Sequence, residues 1–414
     1  MPINANGKLR VKGVGQIGPI LTDFISVWDT NLGDGQPTIQ LPLGGASSNY
    51  NFDVNWGDGT TDNIQGNGGL ITGYYSHTYA LGGVYTVTIT GTIEGWSFAG
   101  VGECAKITSI TNIGPLKLGN EGAYFYGCSN LTTIGGIFDL TGTTNFSSMF
   151  DSCTSLTSVN GINSWNTSAV TGMGDMFNNA ANFNQNIGGW DVSSVTEMGG
   201  MFINATSFNQ PLNSWNTSAV ISMGDIFNNA TSFNQDISGW DVSSVTGMNG
   251  MFADATAFNQ PLNSWNTSAV TNMSYMFYNA TTFNQPLNSW DVSSVTNMGG
   301  MFNDATVFNQ SLNSWNTAAV TDMNEMFSGA IAFNQDISGW DVSNVTYMDS
   351  FMYGKSTADY DYYDNLLNSW SLLTLQNGVN WDMGSIEYTS AGAAARASII
   401  GNYSWTINDG GLAV

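Results

Sequence analysis

Residues 290–314 read WDVSSVTNMGGMFNDATVFNQSLNS, and Trp315 opens the next copy of the same sentence. Tryptophan recurs at 165, 190, 215, 240, 265, 290, 315 and 340, a period of 25 residues without drift. Such a period is the signature of a stacked solenoid, in which each coil buries its apolar side only against its neighbours. Within the copy, Met298, Met301, Phe302 and Ala305 fall at i, i+3, i+4 and i+7, the spacing of one face of a short helix. Phe308 and Leu312 follow in FNQ-x-L, which reads as the parallel ladder strand and its exit. The expected coil is thus a parallel strand plus a short helix, and about ten coils at ~4.8 Å would make a rod of roughly 50 Å.

A second order lies above the period. Copies beginning Trp-Asn-Thr at 165, 215, 265 and 315 alternate with copies beginning Trp-Asp-Val at 190, 240, 290 and 340, a superperiod of 50 residues. Duplication of a two-coil unit is the simplest account. The alternation also separates Asp191, Asp241, Asp291 and Asp341, whose carboxylates would repel on adjacent coils. Cys104, Cys128 and Cys153 head a column that continues as alanine from Ala180 to Ala330. A position restricted to Cys and Ala is a small buried site, so three buried thiols are expected, with no disulfide and no metal.

Composition narrows the class. The 414 residues carry 31 acidic against 7 basic side chains, a formal net charge of -24, yet only 9% are charged, against roughly 25% in ordinary soluble domains. Asn, Ser, Thr and Gly must therefore make the surface, as is common in externally displayed proteins. The bases lie near the ends, at Lys8, Arg10, Lys12, Lys106 and Lys117, then Lys355 and Arg396. Phosphate neutralisation needs clustered Lys and Arg, so nucleic acid is not an expected partner, and an anionic membrane surface is disfavoured for the same reason. No apolar run approaches the roughly 18 residues of a spanning helix, so membrane insertion is not expected, and MPINANGKLRVKGVG lacks the apolar centre of a secretory signal. The expectation is either a removed signal or another exit route, such as release within a phage particle.

Taken along the chain, residues 1–19 are Gly-rich and read as an arm or attachment segment. Residues 20–95 hold the strand-like runs DFISVW, TIQLPL, YNFDVNW and VYTVTIT, enough for a small β-sandwich. The solenoid is expected over 96–352, its first coils irregular, with Ile113 and Phe138 where later coils have Trp. Past Trp340 the sentence fails: Phe351-Met352 inverts the usual order, Lys355 enters the small-residue column, and DYDYYDN delays the next tryptophan to Trp370. Residues 353–414 therefore read as a C-terminal cap, with a helix over 390–403.

Two resemblances rest on these residues. Val54-Asn55-Trp56-Gly57-Asp58-Gly59, then His77-Thr78-Tyr79 and Gly83-Val84-Tyr85-Thr86-Val87, resembles the polycystic-kidney-disease (PKD) type of immunoglobulin-like domain. The pattern WDVSSVT-x-M-x-x-MF-x-x-A-x-x-FNQ resembles the BspA-like leucine-rich repeats of bacterial surface proteins, strongly over 138–352. The resemblance implies a leucine-rich-repeat-like solenoid displayed outside cells for adhesion or recognition, without enzymatic activity.

The residues themselves point the same way. His77 is the only histidine and reads as structural, so a Ser or Cys triad of the usual kind has no base. A glycosidase needs two facing carboxylates about 5–10 Å apart, and repetition offers rows of equivalent Asp instead. No compact acidic loop suits calcium, so neither metal nor cofactor is expected. The tryptophan column reads as core, with a sugar-stacking platform as the rival. The Asn and Gln columns, from Asn184 and Gln185 to Asn334 and Gln335, read as hydrogen-bonded ladders.

For ligand binding, the DYDYYDN insertion is the candidate: Tyr360, Tyr362 and Tyr363 interleaved with Asp359 and Asp361, because exposed tyrosines bind at low entropy cost. The expected function is a non-enzymatic, externally displayed structural or adhesion protein whose rigid solenoid gives multivalent surface recognition. The missing signal and anchor tilt this expectation toward a phage virion component, a fibre or decoration protein. The alternatives are a bacterial cell-surface adhesin and a secreted carbohydrate-binding protein. Expected partners are a cell-surface or glycan ligand or other virion proteins, with a second copy of the chain as a further candidate.

Overall fold

The computed structural model describes residues 23–43, 49–67 and 75–413; the arm expected over 1–19 lies outside them. The four strand-like runs form strands. In β1 (Phe24–Asp29), Phe24, Ser26 and Trp28 face inward, and in β3 (Asn49–Asn55) Tyr50, Phe52 and Val54 do the same, the period-2 burial of a half-covered sheet. β4 (Thr61–Asn67) pairs with β3, β3 with β6 (Val84–Glu94), and β6 with β1, all antiparallel. β2 (Thr38–Leu41) and β5 (Tyr75–Thr78) form a separate antiparallel pair. Phe24, Trp28, Ile39, Leu41, Phe52 and Trp56 are buried in one core.

The free edge of β1 takes β7 (Ile107–Asn112) antiparallel, and β9 (Thr133–Ile134) and β10 (Ser158–Val159) follow in parallel. β8 (Leu116–Lys117) pairs in parallel with β6. The N-terminal sheet therefore runs directly into the solenoid. Lys106 clamps this junction: its ammonium is buried, lies 2.6 Å from both Asp34 and Glu103, and donates to the carbonyls of Gln36 and Thr38. Burial alone would lower its pKa, but the hydrogen bonds to Asp34 and Glu103 outweigh that and raise it.

In the regular coils the parallel ladder lies at Thr-x-Met, and not at FNQ-x-L as the sequence suggested. Single bridges join Gly172, Glu197, Ser222, Gly247, Asn272, Asn297, Asp322 and Tyr347 in succession. Each Thr amide donates to the carbonyl one coil back, as Thr271 does to Thr246 at 2.9 Å.

The expected short helix is absent as well. Met173 to Ala180 is a run of turns in which amide bonds alternate in direction. Met176 and Ala180 donate to Met173 and Phe177 of their own coil, whereas Asp175, Phe177 and Asn179 donate to Gly199, Met201 and Ile203 of the next. A helix keeps every such bond within its own segment. Two left-handed residues per coil prevent it: Asp175, Asp225, Tyr275 and Glu325 have φ of +54° to +57°, and Asn179, Asn204, Asn229 and Asn279 have +50° to +58°. Asn and Asp tolerate that region through their short polar side chains. Met, Phe and Ala thus share one face through turns with a helix-like spacing.

At FNQ the ladder passes through side chains. Asn259 Oδ1 accepts the backbone amide of Asn284 and Nε2 of Gln285, both at 3.0 Å, while Asn259 and Gln260 make the same bonds to Asn234. The series runs from Asn184 to Asn334. The side-chain amide here replaces the backbone carbonyl that a strand neighbour would present. The tryptophans are core: Trp190 to Trp340 are 1–3% exposed, which removes the sugar-platform alternative. Their indole N–H groups donate to the carbonyl 28 residues earlier at 2.7 to 3.3 Å. Phe202, Phe227 and Phe252 stack at 5.6 and 5.8 Å beside them. All three cysteines are buried and free.

The superperiod has a physical basis in contacts between unlike coils. Buried Thr217, Thr267 and Thr317 donate to the carbonyls of Asp241, Asp291 and Asp341 one coil ahead, while the alternate coils place Val192, Val242 and Val292 at that position. Gly250 and Gly300 follow Asp225 and Tyr275 in a left-handed column, and any Cβ there would collide with those side chains. Asp175, Asp225 and Tyr275 are each followed by glycine one coil on, at Gly200, Gly250 and Gly300.

Beyond Gly354 two helices appear, α1 (Tyr363–Trp370) and α2 (Ala393–Tyr403), with β11 (Asn380–Asp382) parallel to β12 (Thr406–Asn408). α2 falls within the expected 390–403, capped by Gly392 without a side-chain bond from serine. Met348 bridges to Trp381, so the ladder continues into the cap. Lys355 is 1% exposed in the alanine column and donates to the carbonyls of Ala330, Ile331 and Phe333.

Candidate functional site

The insertion proposed from sequence is cap packing in large part. Tyr360 and Tyr363 are 1% and 2% exposed and Tyr362 is partly buried, which corrects the expectation of exposed tyrosines. Tyr363 opens α1, whose inward face Tyr363, Leu366, Leu367 and Trp370 packs against the array. Its hydroxyl donates to Asp409 at 2.6 Å, and Asp409 also holds Arg396. Burial, then the Asp409 carboxylate, pushes the Tyr363 hydroxyl far above its ordinary pKa, and burial does the same for Tyr360. Asp361 closes the amide ladder: its N–H donates to Asn334 Oδ1 and its carboxylate accepts from Asn334 Nδ2 at 2.7 Å. Asp359 ends a short turn, Thr357–Asp359. Tyr360, Asp361 and Tyr363 terminate the stack and do not converge on an open site.

His77 is held in the N-terminal sheets. Its Nε2 lies 2.8 Å from Asp58, and its ring stacks on Trp56 at 4.8 Å and meets Tyr79 edge-on. Asp58 also accepts from the backbone and hydroxyl of Thr60, and these bonds together with His77 hold its pKa at about 2. The Trp-Gly-Asp-Gly turn is thereby fixed. The thiols of Cys128 and Cys153 are pushed up by burial.

A concavity forms instead in the middle of the array, where one coil departs from its column. A groove of about 460 Å³ is lined by Asp225, Asn249, Asp254, Tyr275, Tyr278 and Glu325. Tyr275 occupies the left-handed column that in the other coils from 148 to 350 holds Asp, Gly, Glu or Ser, with φ of +57°; the residue is 47% exposed and its ring lies over Gly300. Left-handed φ is rare for a bulky side chain and costs strain. Tyr278 meets it edge-on at 6.1 Å.

Amides orient the carboxylates of the groove. Asn228 and Asn249 donate to Asp225, Asn279 donates to Asp254, and Asn303 donates to Glu325. Burial and then the negative charge of Glu325 raise the pKa of Tyr275. Among the described residues no group of three His, Cys, Asp or Glu is placed to hold a metal ion. Sequence reasoning passed over Tyr275 and Tyr278 because they read as ordinary variation. The usable signal was an aromatic in a column that otherwise holds glycine, serine and acidic residues.

Fold and groove together define a stacked repeat protein with an uninterrupted apolar core. Residues 122–236, 212–306 and 285–380 match the DUF285 family, described as a Mycoplasma protein of unknown function, and together the matches span more than half of the 414 residues. The chain belongs to this family. No curated protein matches it. Among solved structures it is similar to a chain in the crystal structure of a TLR13-ssRNA13 complex, at 9% identity and a TM-score of 0.15, covering 71% of this chain and 55% of that one. The chain thus spans little more than half the length of that protein.

Proposed function

We propose that the protein is a non-enzymatic, externally displayed recognition protein, a BspA-like, leucine-rich-repeat-like rod led by a PKD-like domain, that binds a surface through many weak contacts. The observation carrying this reading is that the recurring Trp, Phe and Met columns of the regular coil are buried in the stack, while the outward columns repeat the same polar groups. Asp191, Asp241 and Asp291 each fold back on the serine two residues on, and present the same turn every second coil. A repetitive ligand, such as a surface glycan or a lattice of like proteins, matches such a face. Weak contacts then multiply by avidity.

The test removes one two-coil unit in register, residues 166–215, and compares retention of the fluorescently labelled long and short rods on cell envelopes and on phage particles. Several-fold weaker retention of the short rod is expected on the surface that is recognised. Equal retention of both rods on every surface would sink the avidity mechanism. Preference for particles would favour a fibre or decoration role, and preference for envelopes an adhesin.

A further inference from the structure

We propose that the groove at Tyr275 and Tyr278 binds a protonated primary amine, the Tyr275 ring covering one side of the ammonium and Asp225, Asp254 and Glu325 surrounding it with negative charge. This deepens the recognition reading, on which it rests, by giving one place on the rod a ligand chemistry. Three observations converge. The first is the concavity itself, about 460 Å³ with two tyrosines in its wall, within the range of small-ligand sites.

The second is Tyr275. In a repeat array each column states what packing requires, and packing here is met by Asp, Gly, Glu or Ser. The tyrosine takes the same left-handed backbone as the rest of its column, adds an exposed aromatic face, and leaves the core unchanged. An exposed aromatic face that stacking does not need points to a ligand contact.

The third is charge. Between Lys117 and Lys355 the chain has no Lys, Arg or His at all, so the groove carboxylates have no cation of their own coils to pair with. Among the described residues their hydrogen-bond partners are asparagine amides, which orient the oxygens without neutralising them. An ammonium supplies three donors and the missing charge, and it is attracted to an aromatic face within about 6 Å of the ring centre. A neutral sugar or a phosphate lacks that match.

The experiment follows ring signals of the full chain labelled with 13C-tyrosine while adding Nα-acetyl-lysinamide, glucosamine or N-acetylglucosamine. Saturable shifts of Tyr275 and Tyr278 are expected with one or both amines and not with the neutral N-acetyl sugar. Response to lysinamide alone identifies a lysyl source, and response to glucosamine alone an amino sugar. Tyr275→Asp restores the residue found at position 225 and adds negative charge, yet should weaken amine binding roughly fivefold, read on Tyr278. Glu325→Gln should weaken it by a similar factor and serves if the first variant folds poorly. The proposal is overturned if neither amine gives saturable shifts, if N-acetylglucosamine responds equally, or if Tyr275→Asp binds as well as the parent. Deletion of 166–215 leaves every groove residue in place, so loss of surface retention with intact amine binding would count against avidity and not against the groove.

Discussion

In the regular coils every ladder finds its partner one coil away. Past Gly354 the backbone ladder runs on into the cap, but the side-chain amide ladder and the alanine column end on side chains that occur once. Asn259 is held by Asn284 and Gln285, and the next link repeats it, but Asn334 meets Asp361 instead. Alanine fills the small column from Ala180 to Ala330, whereas Lys355 enters that column and binds three carbonyls of the coil before it. Translation satisfies a repeat for as long as a neighbour follows, and an end must find other donors. This is why the acidic and aromatic insertion, which looks like a binding loop in sequence, lies packed on the last coil.

The comparison can be broken most severely inside the array. Trp240→Ala removes a stacked ring and its bond to Leu212, and a loss of about 3–5 kcal/mol is expected from chemical denaturation. Because neighbours bear the loss, hydrogen exchange should rise in adjacent coils first. At the cap, Lys355→Met keeps the stem but strands the carbonyls of Ala330, Ile331 and Phe333. About 2–3 kcal/mol is expected, with faster exchange confined to the last coils. If exchange rose equally along the whole rod, the local role of the cap would be wrong.

A smaller effect is expected from Asn259→Ala, which leaves the amide of Asn284 without its acceptor, about 1–2 kcal/mol by the same measurement. Asn259→Asp keeps the acceptor and should restore most of it near neutral pH. The smallest effect is on acid titration. The hydroxyl and then the backbone amide of the serine two residues on hold Asp191, Asp241 and Asp291 below the ordinary carboxylate range. A depressed folded-state pKa stabilises above the unfolded value and is lost as pH falls through the folded one. Stability should therefore decline gently below about pH 4, with a further loss toward pH 2 in the N-terminal sheets as Asp58 protonates. Melting curves that stayed flat from pH 5 to pH 2 would contradict this.

The period, the apolar columns, the small column of Cys and Ala and the four N-terminal strands are legible in the sequence, because burial and strand alternation depend on residue type at fixed spacing. The turn run is not. Met298, Met301, Phe302 and Ala305 would share one side whether joined by helix or by turns, and only left-handed residues such as Tyr275 and Asn279 separate the cases. The same limit hid the groove, since Tyr275 acquires meaning only when Gly300 opens beneath it and Glu325 lies nearby. The 25-residue sentence by itself determined that coils stack and which residues hold them together. Only the tertiary structure decided where the ladders run, how they end and which side chains meet in the groove, because those depend on contacts between residues 25 or 50 positions apart, whose direction no local spacing encodes.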